Sequence, residues 1–547
     1  MPLALRLALV IALAVAGCAR SGDGAPGPED LPPVPDTPPS WAAEAVWYEV
    51  DVDRFRDGKG RQEPTAEAVA RAEGVSAHTL EALGWRRTPW TADPAARAGW
   101  ERALGDADAS VPLRRYGGDL QGVLDQLPAL DSLGVTALVL RVADAEAPWH
   151  VNPWFGPRPA LDVEMIPLEE PGNPATWSTT LADRLLLDLV EAAHARGLRV
   201  VLDVAWPGSL EATAADADSA AANALAVAVR WLDPDGDGDP ADGVDGFRVG
   251  TEPGSEAFRR DLRRVVKAIH PEAVLVGRPP AGGAFAGDEA AALGALDALV
   301  DTRAFGVLRR LLDPAGPQLA PADAAAELRD LYAATPADHL PAFWSAAGGP
   351  EAPRLTTSLL NAAVADDAEA TPRVRPGYDV SRPGPEAVRA AGLYRLLQAT
   401  LPGAPHVLYG DEVGVWGARA PDNRRPMLWD DLDYAVARSD SAAAPVAPDA
   451  ALRDLTRRAL RLRRAHVDLF ARGTLAWEPS GDVLRFVRRA GGEEALVVVN
   501  LGTRPARVEA SGEVVLEVGP GPTMAAGQAT LAPRSGAVFL SRRSAPS

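Results

Sequence analysis

The sequence of 547 residues is poor in cysteine, in lysine and in positive charge. Cys18 is the only cysteine, so the chain can form no internal disulfide and no cysteine-based metal site. Only Lys59 and Lys267 are lysines, and the 75 acidic residues outnumber the 55 basic ones, which gives a formal net charge of −20. Because phosphate binding needs a basic face, this balance argues against a nucleic-acid partner.

The sequence also has no apolar run at its N-terminus that is long enough to cross a membrane. Residues 7–16 are apolar and follow Arg6, and a transmembrane helix needs about 20 such residues. A short apolar run behind one positive charge is typical of a signal peptide, which we predict over residues 1–17. Residues 18–40 are rich in Pro, Gly, Ser and Asp, a composition that predicts a disordered tether.

The end of this signal, Val15-Ala16-Gly17-Cys18, resembles the lipobox of bacterial lipoproteins. That resemblance implies that Cys18 becomes the first residue of the mature chain and is acylated, because the only cysteine falls at the cleavage position. The expected location is therefore the bacterial cell envelope, with a lipid anchor. In such lipoproteins an Asp directly after the acylated cysteine favours the inner membrane. This sequence has Ala19 at that position, so the resemblance favours the outer membrane. The alternative is an ordinary signal peptide with an incidental cysteine.

From Trp41 onward, short β-like runs alternate with amphipathic helical patterns. Helices are predicted at 120–133, 181–196, 257–269, 386–399 and 452–471. Eight runs qualify as strands: 46–52, 135–142, 198–205, 244–249, 273–276, 296–300, 355–360 and 405–409. This alternation predicts an α/β fold, a (β/α)8 TIM barrel over residues 41–473, with an inserted loop region after the first strand.

The helical patterns stop near Thr474. Residues 483–487 and 495–500 are apolar, β-branched runs, and Gly491 and Gly492 lie between them as a turn signal. We therefore predict a C-terminal antiparallel β-sandwich domain over residues 474–547.

Several of these strand and helix segments resemble the α-amylase family, glycoside hydrolase family 13. The resemblance runs in order from about residue 41 to residue 542 and rests on 45–58, 115–123, 233–240, 243–248, 400–405, 409–412 and 422–430. It implies a barrel with a catalytic site at the carboxyl ends of the strands. Function is still argued from the site, since one fold hosts many activities.

The family's chemistry is retaining cleavage of α-glucosidic bonds, which needs a carboxylate nucleophile and a carboxylic general acid about 5–5.5 Å apart. By this resemblance, the nucleophile position after the fourth strand holds Gly250, the general-acid position holds Arg278, and the third carboxylate position holds Val364. None of these side chains can form a glycosyl ester or protonate a leaving group. The sequence therefore predicts a site without hydrolytic activity.

Five residues remain as candidates for a ligand pocket at the barrel mouth: Asp203, Arg248, His150, Trp149 and Trp206. For Arg248 we favour a buried structural ion pair with Asp203 over an anion-binding spot shared with Arg278. His150 is more simply a packed or surface imidazole. Glu252 with Asp366 or Asp367 is a weaker alternative, a relocated acid pair, because catalytic geometry tolerates errors of only about 1 Å.

No cofactor is required by this interpretation, but a calcium ion is possible. Asp233, Asp235 and Asp237 stand at alternate positions before the fourth strand, as at the start of a calcium loop. Val244 occupies the twelfth position, where a Glu would complete the loop, and a solvated turn is the equal alternative.

The leading hypothesis is an α-amylase-family lipoprotein that has lost hydrolysis and binds α-glucan or maltooligosaccharide. A scaffold that binds a protein partner and no sugar is the first alternative. An active α-glucosidic hydrolase with relocated acids is the second.

Overall fold

The computed structural model describes residues 36–58, 64–93, 96–105, 107–143, 147–157, 169–170, 173–204, 206, 214–250, 256–278, 293–364, 367–435 and 446–542. Cys18, the predicted signal peptide and most of the predicted tether lie outside the described residues. Within the described part of the chain, no helix has both the length and the apolar character needed to span a bilayer.

Eight parallel strands close into a barrel, in chain order, with the last strand hydrogen-bonded back to the first. They are Trp47–Val50 (β1), Ala137–Leu140 (β2), Arg199–Asp203 (β3), Gly246–Gly250 (β4), Val274–Arg278 (β5), Ala298–Asp301 (β6), Trp344–Ser345 (β7) and Ala404–Leu408 (β8). Most of their residues are buried on both faces, which explains their near-continuous Val, Leu and Ala content. The predicted fold class is confirmed.

Helices surround this barrel and fill the insertion after β1. In the described residues they are Ser40–Glu44 (α1), Val52–Phe55 (α2), Ala66–Ala72 (α3), Ala77–Ala82 (α4), Gly99–Leu104 (α5), Ala107–Ser110 (α6), Leu120–Leu133 (α7), Leu181–His194 (α8), Ala214–Leu232 (α9), Glu256–Ile269 (α10), Arg303–Leu311 (α11), Pro321–Ala334 (α12), Leu355–Leu360 (α13), Pro385–Thr400 (α14) and Ala450–Ala465 (α15). A π-helical turn, Asp468–Arg472, follows α15.

Local capping explains where two of these helices begin. The Asp119 carboxylate accepts the Gly122 N–H at 2.7 Å at the start of α7. At the start of α8, Thr180 and Asp183 form a reciprocal capping box. Such caps satisfy N–H groups that have no partner inside the helix, so they place the first turn of each helix.

The predicted seventh strand is wrong. Residues 355–360 form helix α13, and the strand that pairs with β6 and β8 is the two-residue segment Trp344–Ser345. The apolar run Leu355-Thr-Thr-Ser-Leu-Leu360 is buried in either conformation, and periodicity alone cannot distinguish a short buried helix from a strand. Val364 therefore does not follow a barrel strand; its side chain packs with Ala370 and Tyr378.

The C-terminal part is antiparallel, as predicted. Its strands are Thr474–Trp477 (β9), Val483–Ala490 (β10), Glu493–Asn500 (β11), Ala506–Glu509 (β12), Glu513–Val518 (β13), Thr523–Ala525 (β14), Gln528–Leu531 (β15) and Ser535–Arg542 (β16). Five of them form one sheet in the order β13-β16-β11-β10-β9, and three form a second in the order β12-β15-β14. The larger sheet packs on α14 and α15, and buried side chains from these elements form one hydrophobic cluster, separate from the core of the barrel.

Gly246 begins β4 with a backbone that other residues rarely adopt. Its φ is +143°, and an added Cβ would lie 2.0 Å from the Val274 carbonyl oxygen of β5. No side chain fits there without displacing the strand that carries Arg248.

We expect Gly246→Ala to lower the free energy of unfolding by roughly 3 kcal/mol, through backbone strain and overlap with β5. Gly306→Ala is the matched control, because nothing lies within 4 Å of its Cβ position and Ala favours the helical conformation of α11. Urea unfolding followed by circular dichroism measures both. Equal effects of the two substitutions would show that β4 tolerates the added methyl group.

Candidate functional site

An arginine from β4 crosses the barrel interior to a glutamate of β1. Arg248 Nη1 donates to Glu49 Oε2 at 2.7 Å and Nη2 donates to Oε1 at 2.6 Å, while Nη2 also reaches Asp203 Oδ2 of β3 at 2.8 Å. All three side chains are buried. A bidentate guanidinium–carboxylate pair is among the stronger protein hydrogen-bond arrangements, because both partners are charged and the geometry is fixed. The predicted Arg248–Asp203 ion pair is confirmed, with Glu49 as an additional partner.

Two further groups extend this network. Arg141, which follows β2, places Nε 2.8 Å and Nη2 2.7 Å from Asp203 Oδ2. On the other side, His406 Nε2 lies 3.0 Å from Glu49 Oε2, and its ring stacks on Trp344 with 5.3 Å between centroids. We call these five residues, Glu49, Arg141, Asp203, Arg248 and His406, the barrel ion network.

The network holds both of its carboxylates in the ionised form. Burial by itself raises the pKa of Glu49, but the Arg248 charge and the hydrogen bonds from His406 and Arg248 bring it far below the ordinary range. Burial also opposes ionisation of Asp203, and the charges of Arg248 and Arg141 hold its pKa far below the ordinary range. A general acid needs a raised pKa, so neither carboxylate can supply a proton near neutral pH.

The ends of β4, β5 and β7 carry no acidic side chain. Gly250 ends β4 and lies in register with Arg278, which ends β5. Arg278 is close enough that its charge helps to lower the pKa of Asp203. After Ser345, the last residue of β7, the chain continues as Ala346-Ala347-Gly348-Gly349. Correcting the position of the seventh strand therefore leaves that strand end without a carboxylate.

Other described carboxylates at the barrel mouth are also held by partners. The pairs are Asp51 with Arg54 at 3.1 Å, Asp301 with Arg303 at 2.8 Å, Asp411 with Arg354 at 3.5 Å, and Glu412 with the Tyr48 hydroxyl at 2.7 Å. Of the proposed relocated acids, Glu252 and Asp366 lie outside the described residues, and Asp367 pairs with Arg309 at 3.4 Å. Each of these described carboxylates therefore has an ion-pair or hydrogen-bond partner of its own.

A cavity of about 230 Å³ opens beside the barrel ion network, at the ends of β1, β2 and β8. Its charged lining residues are Glu49, Asp51, Asp53, Glu73, Arg54, Arg115, Arg141, Arg354 and Arg424, with Trp154 and Tyr409 as aromatic neighbours. Every one of these arginines forms an ion pair with a carboxylate. The cavity wall is polar and close to neutral, and its volume lies below the usual range of about 300–1,000 Å³ for ligand sites.

His150 and Trp149 do not line this cavity, contrary to expectation. The His150 ring is fully buried, with Nδ1 2.7 Å from Asp183 and Nε2 2.6 Å from Glu169. Trp149 stacks on Trp177 and donates its Nε1–H to Glu169 at 2.9 Å. Two acidic partners explain this placement, because a protonated imidazole satisfies both carboxylates inside the protein.

Trp206 lies next to the barrel ion network but is not part of it. Its ring packs edge-on against Phe247 with 5.3 Å between centroids, and Nε1 donates to the Arg248 carbonyl at 3.4 Å. Sequence reasoning missed Glu49, Arg141 and His406. The signal that could have found Glu49 is its place in Val46-Trp-Tyr-Glu-Val50, where a charge interrupts a buried strand.

The predicted metal ligands are only partly brought together. Carboxylate oxygens of Asp233, Asp235 and Asp242 lie within 4.8 Å of one another, and Asp242 takes the third place that we assigned to Asp237. Asp237 Oδ1 instead accepts the Asp239 N–H at 2.7 Å, which keeps its carboxylate within the turn. Burial, followed by the charge of Asp235, raises the pKa of Asp242 to about 6.

The closed barrel and the antiparallel sheets that follow it define a (β/α)8 protein with a C-terminal β domain. No family model matches the chain. Its homologues and structural neighbours are nevertheless enzymes of the α-amylase family, glycoside hydrolase family 13.

Two homologues and one solved structure illustrate this similarity. Neopullulanase 2 of Thermoactinomyces vulgaris is 23% identical over 518 residues, covering 85% of this chain and 70% of the relative. A cyclomaltodextrinase of a Bacillus species is 25% identical over 520 residues, covering 85% and 74%. Cyclic α-maltosyl-(1→6)-maltose hydrolase from Arthrobacter globiformis, solved with maltose, has a TM-score of 0.58 at 20% identity, covering 92% of this chain and 100% of that one. The structural likeness establishes the fold.

We expect Arg248→Met to lower the free energy of unfolding by about 3–5 kcal/mol, because it leaves Glu49 and Asp203 buried without their shared counter-charge. Arg464→Met is the matched control: its pair with Asp131 spans 2.9 Å but both side chains are nearly half exposed, so the cost stays below about 1 kcal/mol. Urea unfolding measures both. Similar costs would mean that the barrel ion network contributes no more than a surface pair.

The buried His150 predicts a pH dependence of stability. Burial lowers its pKa, but the hydrogen bonds and charges of Asp183 and Glu169 outweigh burial and raise it above the ordinary value. A raised folded-state pKa stabilises fully below the unfolded value of about 6.5, and this contribution is lost as pH rises through the folded pKa.

The stability advantage of the wild type over His150→Gln should therefore be larger at pH 6 than at pH 9. Exposed His78 offers the control, since His78→Gln should leave the pH dependence unchanged. Denaturant titrations at both pH values measure the differences. A pH-independent advantage would show that His150 is held as a neutral ring.

Proposed function

We propose that this chain is a bacterial envelope lipoprotein of the α-amylase type that binds α-glucan without hydrolysing it. The observation that carries the proposal is the barrel ion network. The two carboxylates nearest the inherited site are both bound to Arg248, and Gly250 and Arg278 stand where the strand ends would carry the reacting acids.

Charge alone makes hydrolysis unfavourable at this position. A cation such as Arg278 about 5 Å from a developing oxocarbenium ion, at an effective dielectric near 20, costs roughly 3 kcal/mol. That corresponds to about two decades in rate, before the loss of proton transfer and of the covalent intermediate is counted. The barrel can retain sugar contacts after such a loss, because binding uses other groups than bond cleavage does.

The proteins that this chain resembles support binding of α-glucan. The homologues are named neopullulanase and cyclomaltodextrinase, and a neighbour of the same fold was solved with maltose. Half-buried Trp154 borders the cavity, with the Arg115 guanidinium 5.7 Å above its ring. An indole face flanked by polar groups is a suitable platform for a sugar ring.

The envelope location rests on the N-terminal sequence alone. Acylated Cys18 would anchor the chain to the membrane, and the Pro-rich segment 18–40 would hold the barrel away from the lipid surface. Incorporation of labelled palmitate, abolished by Cys18→Ser, tests this part independently of sugar binding.

A scaffold function without a sugar ligand is the second candidate, favoured by the small and charge-paired cavity. A partner protein would then be the ligand of the barrel surface. Calorimetric titration with maltooligosaccharides separates the two candidates, since only the glucan-binding protein gives a saturable heat.

We expect maltooligosaccharide binding by the wild type and about a tenfold weaker affinity for Trp154→Ala, because the indole supplies stacking area at the cavity edge. Trp477→Ala is the matched control, a half-buried tryptophan of β9 that packs on Phe486 and does not border the cavity. Calorimetry measures both, and unchanged binding in Trp154→Ala would rule out this cavity as the glucan site.

Incubation with starch, pullulan and cyclomaltodextrin should release no reducing sugar. Turnover by the wild type that Glu252→Gln abolishes would contradict the proposed inactivity and establish a hydrolase with relocated acids.

A further inference from the structure

Six aspartates lie in the loop between α9 and β4; Asp245 pairs with His194 and Arg199, and the other five crowd the earlier part of the loop. They are Asp233, Asp235, Asp237, Asp239 and Asp242. Among the described residues, none of the five forms an ion pair with Arg, Lys or His. A loop with this charge is expected to expand in water, yet three of the carboxylates converge, so the convergence needs an explanation.

The convergent group contains one buried oxygen that has no hydrogen-bond donor. The oxygens of Asp233, Asp235 and Asp242 lie within 4.8 Å of one another, and Asp233 is only 5% exposed. Asp233 Oδ2 accepts the Gly238 N–H at 3.1 Å, whereas Oδ1 is buried without a partner. A buried carboxylate oxygen that lacks a donor costs free energy unless a cation occupies the donor's place.

The rest of the loop is already satisfied by its own backbone. Asp235 Oδ1 accepts the Asp237 N–H at 3.0 Å, and Asp239 Oδ1 accepts the Ala241 N–H at 3.1 Å. Gly236 and Gly238 have positive φ values, which allow the chain to turn back on itself. The turn is therefore closed by these bonds, and the orphaned Asp233 oxygen stands apart from them.

We propose that Asp233, Asp235 and Asp242 bind a calcium ion, with backbone carbonyls and water completing its coordination. Three carboxylates are hard oxygen donors, and no imidazole or thiolate belongs to the group, which argues against zinc. Calcium accepts six to eight oxygens in irregular geometry, whereas magnesium requires a near-ideal octahedron and retains more of its water.

The ion would tie the end of α9 to the start of β4. Asp233 directly follows buried Leu232, and the Val244 N–H donates to the Trp231 carbonyl at 2.8 Å. At Gly243 an added Cβ would lie 2.1 Å from the Leu232 carbonyl oxygen, so the two chain segments touch. The site lies before the amino end of β4, and the barrel ion network lies beyond it, so calcium binding is expected to stabilise the fold independently of glucan binding.

The test is a titration of the full chain, stripped with EDTA, with CaCl₂. We expect one calcium per chain by calorimetry and a higher melting temperature in calcium than in EDTA. Asp242→Asn should weaken the affinity by about tenfold or more, since it removes a charged ligand. Asp235→Asn, at an exposed position, should do the same if the first variant fails to fold.

Asp239→Asn is the matched control, because it removes the same charge from the same loop but keeps the oxygen that accepts the Ala241 N–H. Its affinity should fall by less than about twofold. Three outcomes would overturn the proposal: no heat and no melting shift at millimolar calcium, equal weakening by Asp239→Asn and Asp242→Asn, or equally tight binding of magnesium. The second outcome would indicate a diffuse acidic surface instead of a site.

Discussion

The Arg248–Glu49 interaction constrains the centre of this molecule more than any other single contact. It joins β4 to β1, two strands that are not neighbours in the barrel, through a guanidinium that is only 2% exposed. Because a buried charge without a partner costs several kcal/mol, Arg248, Glu49 and Asp203 must be retained or replaced together. Arg141 and His406 also contact these carboxylates, at Asp203 Oδ2 and Glu49 Oε2, so each carboxylate has two side-chain partners.

The same constraint decides what the site can do chemically. Bond cleavage in this fold requires carboxyl groups whose pKa values are pushed apart, one protonated and one ionised. In this chain the two central carboxylates are pushed in the same direction, because they share one arginine. Gly250 and Arg278, at the adjoining strand ends, add no carboxyl group to this pair.

Arginine performs the structural work for which many proteins also use lysine. Arg463 is fully buried and donates to the carbonyls of Leu401, Gly403 and Phe470, and Arg488 of β10 donates to the carbonyls of Thr400 and Gly473. Without a carboxylate nearby, burial lowers the pKa of Arg463 to about 9. The planar guanidinium groups, with N–H donors that point in several directions, join α14, α15 and the C-terminal sheet. A lysine has its three donors on one nitrogen atom and could not make these hydrogen bonds in the same geometry.

Local periodicity and residue identity were enough to predict the fold class, seven of the eight strands, the helix over 120–133 and the absence of acids at Gly250 and Arg278. The seventh strand, Trp344–Ser345, could be located only in the folded barrel, because a strand of two residues has no detectable period and the apolar run at 355–360 can be buried equally well as a helix. The tertiary structure also decided that Glu49 pairs with Arg248 across 199 positions of sequence, that His150 faces two carboxylates, and that Asp242 replaces Asp237 beside Asp233. Barrel closure and the turns of the loops bring these charged residues together. Their spacing along the chain therefore could not predict that they are in contact.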